Sequence, residues 1–272
     1  MTVAGTVDPR ELVDLAERVA REAGRMVVEE RPRGLEVSDT KTTSTDIVTE
    51  MDKRSERLIV DRLTAARPDD GFLGEEGASR EGSSGVRWVV DPIDGTVNYL
   101  YEIPAYAVSI AATVDGQVVA GAVVNPAVGE VWTAARGHGA WLDGVQLRPV
   151  AAPAMDQALI ATGFGYDARR RARQAELLAV VLPKVRDVRR MGAASLDLSA
   201  VATGRVDGYY EQGLQPWDLA AGGLVAEEAG ARVTGLHGRV AGEALVVAAR
   251  EPLAGQLVAL LESLDADRDP LA

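Results

Sequence analysis

Two carboxylates, Asp91 and Asp94, stand three residues apart directly after an apolar run at residues 88–90. Such a run is typical of a strand that a sheet buries on both faces. Pro92 fixes the backbone angle φ between the carboxylates, and Gly95 frees the backbone just after them. Two unpaired buried carboxylates are costly, and a hard cation with oxygen ligands would compensate their charge. The pattern therefore predicts a metal site, with an ordinary turn in which the carboxylates cap backbone amides as the alternative.

Three further segments carry acidic residues beside predicted elements: TDIVT at residues 45–49, GEEG at 74–77 and QPWD at 215–218. Together with DPIDGT at 91–96, and in this order, they resemble the inositol monophosphatase family of metal-dependent sugar-phosphate phosphatases. The similarity extends over nearly the whole chain. DPIDGT after an apolar strand is highly specific, whereas GEE or WD alone would be weak.

The resemblance implies the metal ligands. Glu75, Asp91 and the carbonyl of Ile93 would hold a first cation, and Asp91, Asp94 and Asp218 a second, with Asp91 bridging. Glu75 would also help to hold a weaker third cation. Paired cations about 3.5–4 Å apart can clamp the attacking and leaving oxygens of a phosphate ester. Because the chain has no cysteine and two isolated histidines, any metal must rely on oxygen ligands, which favours Mg²⁺ or Mn²⁺. The resemblance implies two or three Mg²⁺ ions.

The catalytic residues also follow from the resemblance. Thr96 and Asp46 look like the family's pair that orients and deprotonates the attacking water, with Glu75 acting through the first cation. Gly95 and Thr96 are expected at a helix start, where backbone N–H groups can face a phosphate. A helix N-cap is the alternative role for Thr96. Asp52 is expected to be a charge on the helix surface, with a contact to the site as the alternative.

Substrate contacts are expected mainly in the second half. Residues 192–194 resemble the family segment that touches the sugar ring, although Ala193 stands where the commonest form has Thr. Glu211 is placed to accept a hydrogen bond from a substrate hydroxyl, or to pair with the ammonium of histidinol phosphate. A surface charge at a strand end is its alternative. The full predicted set is Asp94, Gly95, Thr96, Gly192, Ala193, Ala194, Glu211 and Asp218.

Composition limits the class of protein. The chain of 272 residues has 41 acidic and 29 Lys and Arg side chains, a net charge of −12 that disfavours nucleic-acid binding. No apolar run approaches 18 residues, and the first ten residues lack a signal-peptide layout, so we expect a cytoplasmic protein without membrane contact. The resemblance implies a homodimer and lithium sensitivity. A regulatory or RNA-complex partner built on a phosphatase scaffold is the alternative from another class.

The elements that must position these residues alternate between helix and strand patterns, which favours a layered α+β fold. The resemblance sharpens this to an αβαβα sandwich of two sheets with helices between and outside them. We expect one catalytic domain over residues 1–272, with lobes at 1–150 and 151–272 and the site in the cleft between them. Helices are predicted at 9–30, capped by Asp8, and at 46–66, 173–181, 195–202, 218–229 and 252–264. Strands are predicted at 86–91, in a meander over 107–142, and at 158–161, 208–211 and 244–248, followed by a frayed acidic tail at 265–272.

Overall fold

The computed structural model describes residues 7–31, 39–40 and 47–271. The helices within these ranges are α1 Pro9–Glu29, α2 Glu50–Ala66, α3 Thr96–Leu100, α4 Ala168–Val181, α5 Ala194–Thr203, α6 Pro216–Glu228 and α7 Leu253–Glu262. The strands are β1 Asp39–Thr40, β2 Ile47–Val48, β3 Gly71–Gly74, β4 Ser79–Arg80, β5 Val86–Asp94, β6 Ala107–Val114, β7 Gln117–Asn125, β8 Glu130–Ala135, β9 Gly139–Leu142, β10 Val145–Gln146, β11 Leu159–Thr162, β12 Asp187–Arg189, β13 Gly208–Glu211, β14 Arg232–Thr234 and β15 Val246–Ala249.

The start of α1 confirms a local prediction. Asp8 Oδ1 accepts a hydrogen bond from the backbone N–H of Arg10 at 2.9 Å, and Pro9 occupies the first helical position. Pro at this position loses no helical hydrogen bond, because the first N–H groups of a helix have no partner in the helix.

The start of α2 differs from the prediction. The chain is extended at β2, which pairs with β1, and the helix begins only at Glu50. The reason is a capping box: the backbone N–H of Thr49 donates to Asp52 Oδ2 at 2.8 Å. This contact fixes the helix start four residues after the predicted one.

Two sheets and three helix layers form the predicted αβαβα sandwich. The first sheet has the strand order β10-β9-β8-β7-β6-β5-β3-β4, and the second has β12-β11-β13-β15-β14. Helices α1 and α2 pack on the outer face of the first sheet, and α4 and α7 on the outer face of the second. Helices α5 and α6 lie between the sheets and contact both. Every residue of α5 from 194 to 202 is buried, as a helix covered on all sides requires.

Strand β5 carries the acidic segment through the middle of the first sheet. It pairs in parallel with β3 and antiparallel with β6, and both of its faces are covered, as its apolar run predicts. The register with β6 shifts between Asp91 and Asp94. Such an irregularity bends a strand and re-aims its side chains, here at the edge where the helices of the middle layer begin.

The expectation of a frayed tail is wrong for the described part of it. Ala266 is fully buried against α7, and Asp269 forms an ion pair with Arg170 of α4. The acidic composition suggested a solvated end, but arginines on neighbouring elements neutralise these charges. No helix in the described ranges combines the length and the apolar composition needed to cross a membrane.

Candidate active site

A cavity of about 610 Å³ opens where β5 ends and α5 and α6 begin. It brings together residues from both sheets that are distant in sequence. The described members of the predicted site all line it: Glu75, Asp91, Ile93, Asp94, Gly95, Thr96, Gly192, Ala193, Ala194, Glu211 and Asp218. The remaining predicted residue, Asp46, lies outside the described residues.

Three carboxylates form the centre of this cavity. One oxygen from each of Asp91, Asp94 and Asp218 lies within 4.8 Å of the other two. Asp91 is 1% exposed and Asp94 is 8% exposed, so solvent screens their charges poorly. This geometry favours the metal site over the ordinary turn as the interpretation of the acidic segment.

Burial and mutual repulsion raise the pKa values of these carboxyl groups. Burial is the main reason that the pKa of Asp91 lies well above its usual range, followed by the charges of Glu75, Asp94 and Asp218. Burial also raises the pKa of Asp218, with the charges of Asp94 and Glu75 adding to it. Burial and repulsion thus favour the protonated forms of these carboxyl groups when no cation is bound. A donor set made only of carboxylate and carbonyl oxygens suits a hard divalent cation.

A buried glutamate of α2 shapes the turn that presents Glu75. The carboxylate of Glu56 accepts hydrogen bonds from the backbone N–H groups of Glu76 at 2.8 Å and Ala78 at 2.9 Å. A Cβ atom at Gly74 would lie 2.1 Å from Glu56 Oε2, so glycine is required for this approach. Sequence reasoning missed Glu56, because on α2 it looks like any other helix charge.

Asp94 connects the two halves of the chain. Its Oδ2 accepts hydrogen bonds from Ser195 N at 2.7 Å and Ser195 Oγ at 2.5 Å, and its Oδ1 from Ala194 N at 3.3 Å. Burial raises the pKa of Asp94, and the hydrogen bonds from Ser195 oppose that rise. Asp94 thus caps the first turn of α5, whose own N-cap residue, Ala193, has no side-chain acceptor.

Asp218 performs a similar task within its own helix. Its Oδ2 accepts a hydrogen bond from the backbone N–H of Gln215 at 2.7 Å, in a capping box at the start of α6. The second oxygen stays available for the carboxylate cluster. The position of Asp218 is therefore fixed by a local signal, since an acidic residue three positions after an N-cap is typical of a helix start.

The partner of Thr96 is Asp52. Thr96 Oγ1 lies 3.0 Å from Asp52 Oδ1 and 3.0 Å from the carbonyl oxygen of Ile93. Because the hydroxyl has one proton, it donates to one of these acceptors at a time. Asp52 is fully buried, and this burial raises its pKa to about 7. The expectation of a surface charge at Asp52 is therefore wrong, because the residue is buried through its contact with Thr96, which lies 44 residues later in the chain.

Gly95 allows the two halves to meet at the site. Its φ of +89° is in the left-handed region, and it is the N-cap residue of α3. A Cβ atom there would lie 2.9 Å from the carbonyl oxygen of Ala105 and 3.2 Å from Ala193 Cβ. Any side chain at Gly95 would push the segment 192–194 away from the carboxylate cluster.

Glu211 lies in the cavity wall rather than on the surface. The hydroxyl of Tyr209 donates a hydrogen bond to Glu211 Oε2 at 2.6 Å. Burial raises the pKa of Glu211 to about 7, although the bond from Tyr209 and the charge of Arg190 oppose the rise. A Cβ atom at Gly163 would lie 1.9 Å from Glu211 Oε2, so this carboxylate passes directly over the backbone of the loop after β11.

Several cavity-lining residues were not predicted. They come from the loop after β11, the first turn of α4, the segment before α5, the loop before α6 with the first turn of that helix, and the segment after α7. Their positions depend on how distant elements meet, which spacing does not reveal. The set includes Phe164, Tyr166, Asp167, Arg170, Arg190, Gln212, Gln215, Trp217 and Leu271.

Comparisons with known proteins identify the family of this chain. The model of the family described as the inositol monophosphatase family matches residues 8–267. The chain is 48% identical over 274 residues to the inositol-1-monophosphatase SuhB of Mycobacterium tuberculosis, with 94% of each chain covered. It is 39% identical over 231 residues to the Nus factor SuhB of Escherichia coli K12, covering 84% of this chain and 86% of that one. The crystal structure of the extragenic suppressor protein suhB from Bartonella henselae matches with a TM-score of 0.86 and 36% identity, covering 93% of this chain and 98% of that one. The chain therefore belongs to the inositol monophosphatase family and is a phosphatase.

Proposed function

We propose that this phosphatase hydrolyses small polyol phosphate monoesters, myo-inositol monophosphates first, and that it does so with Mg²⁺ and an activated water. The observation that carries the proposal is the cluster of Asp91, Asp94 and Asp218, with oxygens within 4.8 Å of one another. Thr96 and Glu211 line the same cavity. A metal site, a hydroxyl for positioning water and an acceptor for a substrate hydroxyl thus share one space.

The donor set supports two or three Mg²⁺ ions, with Mn²⁺ as the alternative. Glu75, Asp91, Asp94, Asp218 and the carbonyl of Ile93 would hold them, as the family pattern implies. When bound, such cations lower the pKa of a coordinated water and neutralise charge that develops on the phosphoryl group. They would also neutralise the carboxylates, whose raised pKa values reflect uncompensated repulsion.

Thr96 and Asp52 are suited to orient the attacking water and to receive its proton. The Thr96 hydroxyl can donate to Asp52 Oδ1, at 3.0 Å, while its own oxygen accepts a hydrogen bond from water. A carboxyl group with a pKa of about 7 can accept a proton at neutral pH and release it again. We therefore assign to Asp52 the role that the family resemblance suggested for Asp46.

The polyol part of the ester would lie against Glu211 and the segment 192–194. Glu211 keeps one oxygen beyond its bond with Tyr209 for a substrate hydroxyl. The small side chains of Ala193 and Ala194 leave room beside the carboxylate cluster. Gly95 and Thr96, at the start of α3, would contact the phosphate with their backbone N–H groups.

Histidinol phosphate is the nearest alternative substrate. An ionised Glu211 can pair with an ammonium group as well as with a hydroxyl. Its pKa of about 7 leaves the group only partly ionised at neutral pH, which favours a neutral polyol over a cationic alcohol.

A role as a regulatory or RNA-complex partner is a second candidate function. It is supported by the relative named Nus factor SuhB in Escherichia coli. The net charge of −12 makes direct contact with RNA unfavourable, so such a role would use a protein surface. Because the carboxylate cluster is complete, we expect the protein to be a catalyst even if it also has such a role. A homodimer, lithium sensitivity and a single catalytic domain over residues 1–272 stay predictions.

The test is phosphate release with Mg²⁺ from inositol 1-phosphate, histidinol phosphate, fructose 1,6-bisphosphate and adenosine 3′,5′-bisphosphate. Asp94→Asn is the site variant. Asp115→Asn is the matched control, because Asp115 lies in the turn between β6 and β7 with a φ of +51° that asparagine tolerates. We expect a preference for inositol 1-phosphate, lost in Asp94→Asn and kept in Asp115→Asn. Absence of metal-dependent release from all four esters would contradict the proposal.

A further inference from the structure

The segment 265–271, which follows α7, reaches the active-site cavity. Leu271 lines that cavity together with Glu211 and the carboxylate cluster. Ala266 is fully buried in the core that α4, α7 and the second sheet share. The segment is thus anchored in the core at one end and contributes to the cavity at the other.

An ion pair holds the outer part of this segment in place. Arg170 Nη2 donates to Asp269 Oδ2 at 2.5 Å, and the two side chains are only 16% and 29% exposed. The other oxygen of Asp269 accepts a hydrogen bond from the backbone N–H of Leu271 at 2.9 Å. One carboxylate therefore connects α4 to the backbone of the cavity-lining leucine.

The cavity wall is built around Arg170. A Cβ atom at Gly165 would lie 2.8 Å from Arg170 Cδ, and one at Gly213 would lie 2.7 Å from Arg170 Nη1. Both glycines line the cavity, and Gly213 has a φ of +95°. Glycine at these positions lets two wall loops close onto the arginine, so Arg170 joins them to the segment 265–271.

We propose that the segment 265–271 is a wall of the substrate cavity that determines the size of the alcohol group accepted. Leu271, held by the pair of Arg170 and Asp269, limits the space beside the wall loops. A compact polyol fits within this limit. This inference rests on the proposed function, because it names the substrate class of the same site.

The test compares a compact ester, glycerol 2-phosphate, with a bulky one, adenosine 5′-monophosphate, in the full-length chain with Mg²⁺. Leu271→Ala removes the side chain from the wall, and Asp269→Asn weakens its anchor. Asp187→Asn is the matched control, since Asp187 forms an ion pair with Arg189 outside this segment and does not line the cavity. Thermal unfolding of each variant verifies that it is folded.

We expect both wall variants to raise kcat/KM for the bulky ester relative to the compact one by about tenfold, the effect of relieving one apolar contact in a pocket. The kcat/KM of the wall variants for glycerol 2-phosphate should stay near that of the parent. The control variant should keep the parent kcat/KM for both esters. An unchanged ratio in both wall variants, or an equal change in Asp187→Asn, would overturn the inference while leaving the proposed function intact. If the parent releases no phosphate from the compact ester, the proposed function fails. In that case the inference is tested by the equilibrium binding of the two esters. The wall variants must then bind the bulky ester more tightly, relative to the compact one, than the parent does.

Discussion

Replacement of Asp52 by asparagine tests the assignment of Asp52 as the general base. The two oxygens of its carboxylate have different partners, one at the catalytic hydroxyl and one at the helix start. Oδ1 accepts from Thr96 Oγ1 at 3.0 Å, and Oδ2 accepts from the backbone N–H of Thr49 at 2.8 Å. Asparagine keeps one acceptor oxygen and cannot take up a proton. We expect kcat for inositol 1-phosphate to fall by about 100-fold or more, the usual range for loss of general-base catalysis. This corresponds to about 2.7 kcal/mol or more in the activation barrier.

The same substitution should also alter how the free energy of unfolding depends on pH. A folded pKa of about 7 against an ordinary value of 3.8 means that ionising Asp52 destabilises the native state as the pH rises. Since one pKa unit is about 1.4 kcal/mol, this single group removes about 2–3 kcal/mol of stability between pH 5 and pH 8 in the metal-free protein. The asparagine side chain of the variant has no such titration. The parent should therefore lose more stability than Asp52→Asn over this range, although the variant loses about 1 kcal/mol of helix capping at low pH.

Thr49→Ala is the matched control for this prediction. It removes the hydroxyl that donates to Asp52 but keeps the backbone N–H and leaves the contact with Thr96. We expect it to cost about 1 kcal/mol of stability as a weakened cap while kcat stays within a fewfold of the parent. The assays are phosphate release at saturating Mg²⁺ and urea unfolding at several pH values with a chelator. A kcat for Asp52→Asn close to that of the parent, or an equal loss of kcat in Thr49→Ala, would refute the assignment.

Three further predictions concern the carboxylates of the cavity. When a chelator keeps the protein free of metal, the midpoint of urea unfolding should fall as the pH rises above about 4, because the raised pKa values of Asp91 and Asp218 make their ionisation unfavourable in the folded state. Addition of Mg²⁺ should restore the midpoint. A midpoint independent of both pH and Mg²⁺ would contradict this prediction. Glu211→Gln should raise KM for inositol 1-phosphate about tenfold while sparing 4-nitrophenyl phosphate, and equal effects on both would remove Glu211 from recognition. Ser195→Ala removes a donor from Asp94 and should raise the Mg²⁺ concentration for half-maximal activity about 10-fold or more, with a smaller effect on kcat at saturation; an unchanged Mg²⁺ dependence would exclude Ser195 as a support of the site.

The parts of the fold that could be predicted from the sequence are those determined by interactions between residues close together in the chain. The strand β5 and the turn after it are visible because an apolar run, a proline and a glycine each act over a few residues. The start of α1 is visible because Asp8 and Pro9 satisfy the first turn directly. Family resemblance then grouped the carboxylates, and the structure brings Asp91, Asp94 and Asp218 together.

The parts that sequence missed depend on partners far along the chain. Glu56 holds a turn 20 and 22 residues away, and Ser195 supports Asp94 from 101 residues away. No local pattern distinguishes these residues from other polar side chains of a helix. The error at Asp52 has the same origin, because its burial follows from Thr96, which lies 44 residues later.

Helix starts explain how so many carboxylates are tolerated in one cavity, and why they still need a cation. Asp52 lies in the first turn of α2, Asp218 in the first turn of α6, and Asp94 accepts from the first turn of α5. A helix N-terminus stabilises a nearby negative charge by about 0.3–1 kcal/mol, and by about 2 kcal/mol in partly buried geometry. The pKa values of all three groups remain raised in spite of this support, so burial and repulsion exceed it. The helices therefore position the charges without neutralising them. Under the proposed function, a bound divalent cation stabilises the fold as well as completing the site.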